Sequence, residues 1–474
     1  RRAGAPTGGR RGSGPFGDVA TTHCHGYMRG PERSAGGARR AGAGCLRRGY
    51  LENKEGDGAP LFIPAGLAYE GIWPERPKNT NTHRYDTPVP KTLTTTDALA
   101  EFCARAAQCP YVTVDTEFLR ERTYFAQLCL VQLALPGTDD SDAVLVDPLA
   151  EDMSLEPLFE LFRNRDVVKV FHAARQDLEI FHVDGDVLPE PLFDTQVAAM
   201  VCGFGEQVGY ETLVRKIAKA SLDKSSRFTD WSRRPLTDAQ KTYALADVTH
   251  LRQIYEYLAA ELERTGRRAW VEEELQTLTN REAYVVEPDE AWKRLKTRTN
   301  SGKFLAILRE LAKYREETAQ ARNVPRNRIM KDDVLMELAS TKPKSVQDLS
   351  KSRLLQRDGR KGDAAEALLA AVKRGLETRP EDMPKAPAGR DKSQMNPALA
   401  DLLRVLLKAK AEEAGVAQKL IASSADLDDI ACGTRDGLWA HGWRGQVFGE
   451  DALRLCEGEI ALSAKGQQVK IIPV

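Results

Sequence analysis

Two acids stand two residues apart at the end of an apolar run, Val112-Thr113-Val114-Asp115-Thr116-Glu117. Side chains alternate between the faces of a strand, so both carboxylates share one face. Like charges that close repel unless a cation binds between them. Taken alone, an Asp-x-Glu pair is as well explained by a solvated strand end, and chemistry requires further acids from other elements. Asp177 supplies one: in Val170-Phe171-His172-Ala173-Ala174-Arg175-Gln176-Asp177-Leu178 a strand feeds a helix, and the acid falls near the first turn, where open α/β sheets bind ligands. Asp247 supplies another, with Tyr243 one helical turn before it.

The elements that must position these groups can be read from capping and periodicity. Thr237 with Gln240 three residues on forms a capping box, which predicts a helix start. Ala244, Val248, Leu251, Tyr255 and Leu258 then recur at spacings of four and three, a core-facing stripe that Tyr243 and Asp247 flank. Short apolar runs at Tyr111 to Val114, Leu128 to Leu135, Ala143 to Val146 and Val167 to Phe171 predict strands, the first two as a hairpin and the later ones alternating with helices. A mixed sheet covered by helices follows, spanning 88–284. Asp194, after a hydrophobic stretch, is expected to cap a helix N-terminus.

Beyond residue 288 strand signals nearly vanish and amphipathic helices take over, predicting a second domain over 288–380. Four prolines between 379 and 397 mark a linker, placed at 381–395, and a third unit follows over 396–474, with a short strand expected at Val469 to Val474. Residues 1–87 are rich in Gly, Arg and Ala, lack periodicity and begin with Arg; they read as an extension that is disordered or not native to the protein.

Composition sets outer bounds. A chain of 474 residues exceeds one ordinary domain. With 69 basic and 69 acidic residues the net charge is zero, so a nucleic-acid surface must come from local segregation. No run approaches a membrane span, and no secretory signal opens the chain, which predicts a soluble cytoplasmic protein without a membrane partner. Eight cysteines without paired spacing predict reduced thiols, and His23-Cys24-His25 has no second cluster with which to bind zinc.

The ordered spacing of Asp-x-Glu, Asp at a strand-helix junction, and Tyr-x-x-x-Asp on a late helix resembles the DEDD exonucleases of the tyrosine subclass. More narrowly, Asp115 to Tyr124, His172 to Asp177, Leu222 to Ser226 and Asp230 to Leu236 resemble bacterial ribonuclease D. The resemblance implies a ribonuclease H-like mixed sheet flanked by helices, followed by two small all-α HRDC-type domains. It implies 3′-to-5′ exoribonuclease activity releasing 5′-mononucleotides, tRNA precursors with 3′ trailers as the RNA partner, and two divalent cations, Mg²⁺ or Mn²⁺. On this reading Asp115 bridges both ions, Glu117 and Asp247 complete the nucleophile side, and Asp177 holds the second ion. Tyr243 orients the attacking water; a phenol ionises near pH 10, so it positions rather than deprotonates. His172, Gln176, Lys224, Arg227, Trp231 and Arg233 are candidate substrate contacts, the indole by stacking a base. Lys303 to Leu349 resembles the HRDC module, and Gly442 to Gly449 would carry the second, more divergent copy. A catalytically dead adaptor on this fold would lack at least one of the five positions, and a DNA-proofreading exonuclease would accompany a polymerase domain, which is not visible.

Overall fold

A computed structural model describes residues 91–474 apart from Lys224, Arg227, Phe228, Arg298, Asn300 and 386–394. The expectations for residues 1–87, for most of the linker, and for Lys224 and Arg227 as substrate contacts lie outside the described residues.

Six strands form one mixed sheet: β1 (Thr92–Leu93), β2 (Tyr111–Leu119), β3 (Gln127–Ala134), β4 (Ala143–Val146), β5 (Val168–Phe171) and β6 (Leu192–Asp194), in the spatial order β1-β4-β3-β2-β5-β6. The expected hairpin is β2–β3, antiparallel with Asp115 opposite Gln132 and Thr113 opposite Ala134, and a register shift falls between Glu117 and Phe118. β5 runs parallel to β2, and β6 parallel to β5. β1 and β6, two and three residues long, carry too few side chains for alternation to show in the sequence.

Helices α1 (Thr96–Ala106), α2 (Glu156–Arg163), α3 (Arg175–Gly185), α4 (Thr195–Val201), α5 (Tyr210–Leu213), α6 (Asp238–Thr265) and α7 (Arg268–Thr279) complete this part. α6 starts with the expected capping box: Thr237 Oγ1 accepts from Gln240 N at 3.2 Å, and Gln240 Oε1 accepts from Thr237 N at 3.0 Å. Ala244, Val248, Leu251 and Leu258 are buried along the predicted stripe. Thr113 Oγ1 donates to Val248 O at 2.9 Å, which seats α6 against one face of β2.

The remaining helices are α8 (Gly302–Ala321), α9 (Arg326–Ile329), α10 (Asp332–Thr341), α11 (Val346–Lys351) and α12 (Gly362–Glu377), then α13 (Pro397–Ala414), α14 (Gln418–Ile421), α15 (Ser424–Ala431), α16 (Gly442–Arg444) and α17 (Glu450–Glu457). Each group encloses its own buried cluster, one running from Ala291 to Val372 and the other from Ala400 to Ala452. The chain ends in an antiparallel hairpin, β7 (Ile460–Lys465) with β8 (Gln468–Pro473), where the sequence predicts a single strand.

Side-chain contacts join both helical groups to the α/β part. The Glu316 side chain, fully buried, accepts from Arg326 Nε and Nη2 at 2.6 Å each and from the Tyr124 hydroxyl. Asn323 Oδ1 accepts from Tyr124 N and Phe125 N, both at 3.0 Å. At the other group Trp443 stacks on Trp270 of α7 with ring centres 4.6 Å apart, and Arg444 donates to Glu273 and Glu274. No helix among the described residues is long and apolar enough to cross a membrane.

Candidate active site

The β2 strand carries Asp115, partly buried, and Glu117, 9% exposed. Asp177 is the third residue of α3 and Asp247 lies one turn beyond Tyr243 on α6; both aspartates are buried. Burial pushes the Asp115 carboxyl well above the ordinary range, and the Asp247 charge adds to it. Burial does the same to Asp177, with the Asp115 charge second and the Thr116 hydroxyl opposing. Three aspartates from β2, α3 and α6 therefore feel one another through protein of low polarity. Tyr210 sits within the same field: burial first, then Asp247 and Asp115, hold its phenol up, and its hydroxyl donates to Ala246 O at 3.0 Å.

The junction that presents Asp177 is held by an acid from the neighbouring strand. Asp194 caps α4 as predicted, accepting from Gln196 N at 2.8 Å and Val197 N at 3.4 Å. The same carboxylate also accepts from Ala173 N at 3.0 Å and Ala174 N at 2.9 Å. Ala173 adopts φ 59°, a left-handed conformation that a residue with a Cβ adopts at a cost, so these bonds fix the turn that launches α3. The parallel register Phe171 opposite Asp194 makes this reach possible. Thr116 Oγ1 donates to Asp177 Oδ1 and orients that carboxylate from β2.

Among the candidate substrate contacts, His172 Nδ1 lies 3.0 Å from Thr195 Oγ1, whose own proton goes to Phe171 O, so the imidazole is anchored in the fold. Gln176 sits in the first turn of α3. Arg233 is exposed and pairs with Asp230 at 3.4 Å. Trp231 departs from the expectation of base stacking: it is 1% exposed and packs with Cys129, Leu130, Leu145, Leu236 and Ala244. An indole enclosed in this way presents no face to a nucleotide; its ring instead lies 6.1 Å from that of Tyr243. Arg234 keeps the loop in place, donating to Asp147 twice at 2.6 Å, to Cys129 O at 2.6 Å and to Trp231 O at 2.7 Å. Burial holds the thiols of buried Cys129 and partly buried Cys202 up at about 11 and about 12.

Carboxylate oxygens are the hard donors that Mg²⁺ and Mn²⁺ prefer, and a buried set of mutually repelling acids is what a cation would relieve, so the donor set fits a divalent metal. As the side chains stand, no group of three or more His, Cys, Asp or Glu among the described residues is arranged to hold one. One oxygen of Asp177 is engaged by Thr116.

Residues 90–263 match the 3′-5′ exonuclease family model, and 304–372 match the HRDC domain model. Ribonuclease D of Jannaschia sp. is 73% identical over 386 residues, covering 81% of this chain and all of that protein. The chain belongs to the ribonuclease D family. Ribonuclease D of Granulibacter bethesdensis is 47% identical over 81% of this chain and 97% of its own length. The crystal structure of Escherichia coli RNase D, described as an exoribonuclease involved in structured RNA processing, superposes with a TM-score of 0.67 at 30% identity, covering 78% of this chain and 98% of that one. This ribonuclease D family member is thus an enzyme, a 3′-to-5′ exoribonuclease, and the mixed sheet with a C-terminal HRDC module is the family's architecture.

Proposed function

We propose that the chain trims the 3′ ends of tRNA precursors and other structured RNA, releasing 5′-mononucleotides by two-metal hydrolysis. The observation that carries this reading is the convergence of partly buried Asp115 with buried Asp177 and Asp247, each raising another's pKa or having its own raised. Asp115, Glu117, Asp177 and Asp247 would hold two divalent cations, Mg²⁺ or Mn²⁺, whose charge when bound supplies an activated water and a stabilised 3′-oxygen leaving group. Tyr243, one turn before Asp247, holds the attacking water by a hydrogen bond from its hydroxyl. Trp231 against the Tyr243 ring limits where that hydroxyl can point. Thr116 and Asp194 keep Asp177 at the junction from which it reaches the same space. Exposed Arg233 is the described cation of the 230–236 loop best placed to meet phosphate.

The test is incubation of the purified protein with Mg²⁺ or Mn²⁺ and a tRNA bearing a short 3′ trailer, resolving products at nucleotide level. Trailer removal with 5′-mononucleotide release is expected; Asp115→Ala should abolish it. Tyr243→Phe should cost less, because it removes a positioning group and no metal ligand. Undiminished trimming by Asp115→Ala would refute the site, and equal abolition by Tyr243→Phe would refute the division of roles.

A further inference from the structure

A fully buried amide stands across the strand pair from Asp115 without a hydrogen-bond partner. Gln132 on β3 is 0% exposed, and neither its Nε2 nor its Oε1 makes a hydrogen bond. Burying an amide in that state costs roughly 2 kcal/mol or more, so a fold selected only for stability would place leucine or methionine there. The register says what the amide faces. Gln132 stands directly opposite Asp115, and directly opposed residues of an antiparallel pair project from the same face with Cβ atoms about 4.5–5.5 Å apart. The flanking pairs are Thr113 opposite Ala134 and Glu117 opposite Leu130. Thr113 bonds the α6 backbone at Val248, Ala134 packs with Val248, and Leu130 packs with Ala244. Gln132 therefore lies under the turn of α6 that carries Asp247, with Asp115 across the strand and apolar side chains around the rest.

We infer that Gln132 is a positioning residue of the active site, its unpartnered amide N–H placed across the strand pair to donate to the Asp115 carboxylate when metal is bound, so that the charged acid is held in the orientation that binds metal. The inference rests on the reading of Asp115 as a metal ligand. A carboxylate beside a cation is commonly steered by a second hydrogen bond from behind, and losing such a partner typically costs 10–100-fold in metal affinity or activity. An amide suits the place better than a cation would, because it steers the acid without competing for its charge. The stability lost by burying it is the trade that functional sites make.

Gln132→Leu separates this role from a structural one, since leucine fills a similar volume in surroundings that are already apolar. Three readouts apply to the full chain: the thermal midpoint without metal, Mn²⁺ binding by calorimetry without RNA, and kcat and KM on a short single-stranded RNA. The expected result is a thermal midpoint equal to or above that of the parent, Mn²⁺ binding weakened about tenfold, and kcat lowered about tenfold with KM within about twofold. Parental Mn²⁺ affinity and kcat in Gln132→Leu would overturn the inference. So would a lowered thermal midpoint with unchanged Mn²⁺ affinity, which would make Gln132 a packing residue. Asp115→Asn is measured alongside: if it binds Mn²⁺ as the parent does, the metal assignment fails, and the inference with it.

Discussion

Glu316 offers a quantitative test of how the HRDC module is tied to the hairpin that bears Asp115 and Glu117. Its side chain is fully buried, whereas that of its partner Arg326 is 35% exposed. Burial pushes the Glu316 carboxyl up, but hydrogen bonds from Arg326 and Tyr124 outweigh it, and the group sits below its ordinary value. Arg326→Met keeps much of the aliphatic stem and removes the fork. Breaking a buried pair from one side costs about 3–5 kcal/mol; water can approach from the exposed Arg326 side, so the lower end, about 3 kcal/mol, is expected. The loss depends on pH with a definite sign. In the parent the depressed pKa contributes stability that is present above the unfolded value of 4.5 and lost as pH falls below it. In Arg326→Met burial dominates, the pKa rises, and stability is lost as pH climbs through it. The gap between the two proteins therefore widens from pH 5 to pH 8. Urea unfolding at both pH values measures it. Replacing the three groups together, Tyr124→Phe with Glu316→Leu and Arg326→Met, should recover most of the loss, because no charge is left stranded. A loss under about 1 kcal/mol at pH 8, or one as large at pH 5, would refute the reasoning.

Asp194→Ala deprives Ala173, Ala174, Gln196 and Val197 of their acceptor; kcat should fall by about a hundredfold, as expected for misplacing Asp177 by an ångström, although Asp194 itself is not assigned to metal. Near-parental kcat would show that the turn holds without it. Trp231→Ala should destabilise by about 3–5 kcal/mol in thermal or urea unfolding, whereas a base-stacking indole would change KM and leave stability alone. Arg444→Met should cost about 3 kcal/mol, since Glu273 and largely buried Glu274 would lose their shared cation; an unchanged unfolding midpoint would mean that the tie carries no weight.

The site was legible where chemistry follows local rules. Asp115 and Glu117 share a face because strands alternate, Thr237 and Gln240 announce α6, and Asp194 caps the helix after it, all within a few residues. What stayed hidden depends on which strands become neighbours. Asp194 reaches Ala173 only because β6 pairs with β5, and Gln132 meets Asp115 only through the register of β2 with β3. Trp231 misled for a related reason: it sits among arginines in the sequence, yet Arg234 turns inward to Asp147 and takes the indole with it into the core. The clamp of Tyr124 on Glu316 joins residues nearly two hundred positions apart, and no periodicity foretells such a contact.

The Trp270–Trp443 stack, with Arg444 reaching to Glu273 and Glu274, ties the histories of two segments together. A chimaera that joined this C-terminal segment to a relative's exonuclease part would set an indole and a guanidinium against whatever that relative carries at the matching positions of α7. Unless those positions also offered an aromatic ring and paired acids, the graft would expose one and strand the other. Substitutions on the two sides of this contact are therefore expected to be inherited in pairs.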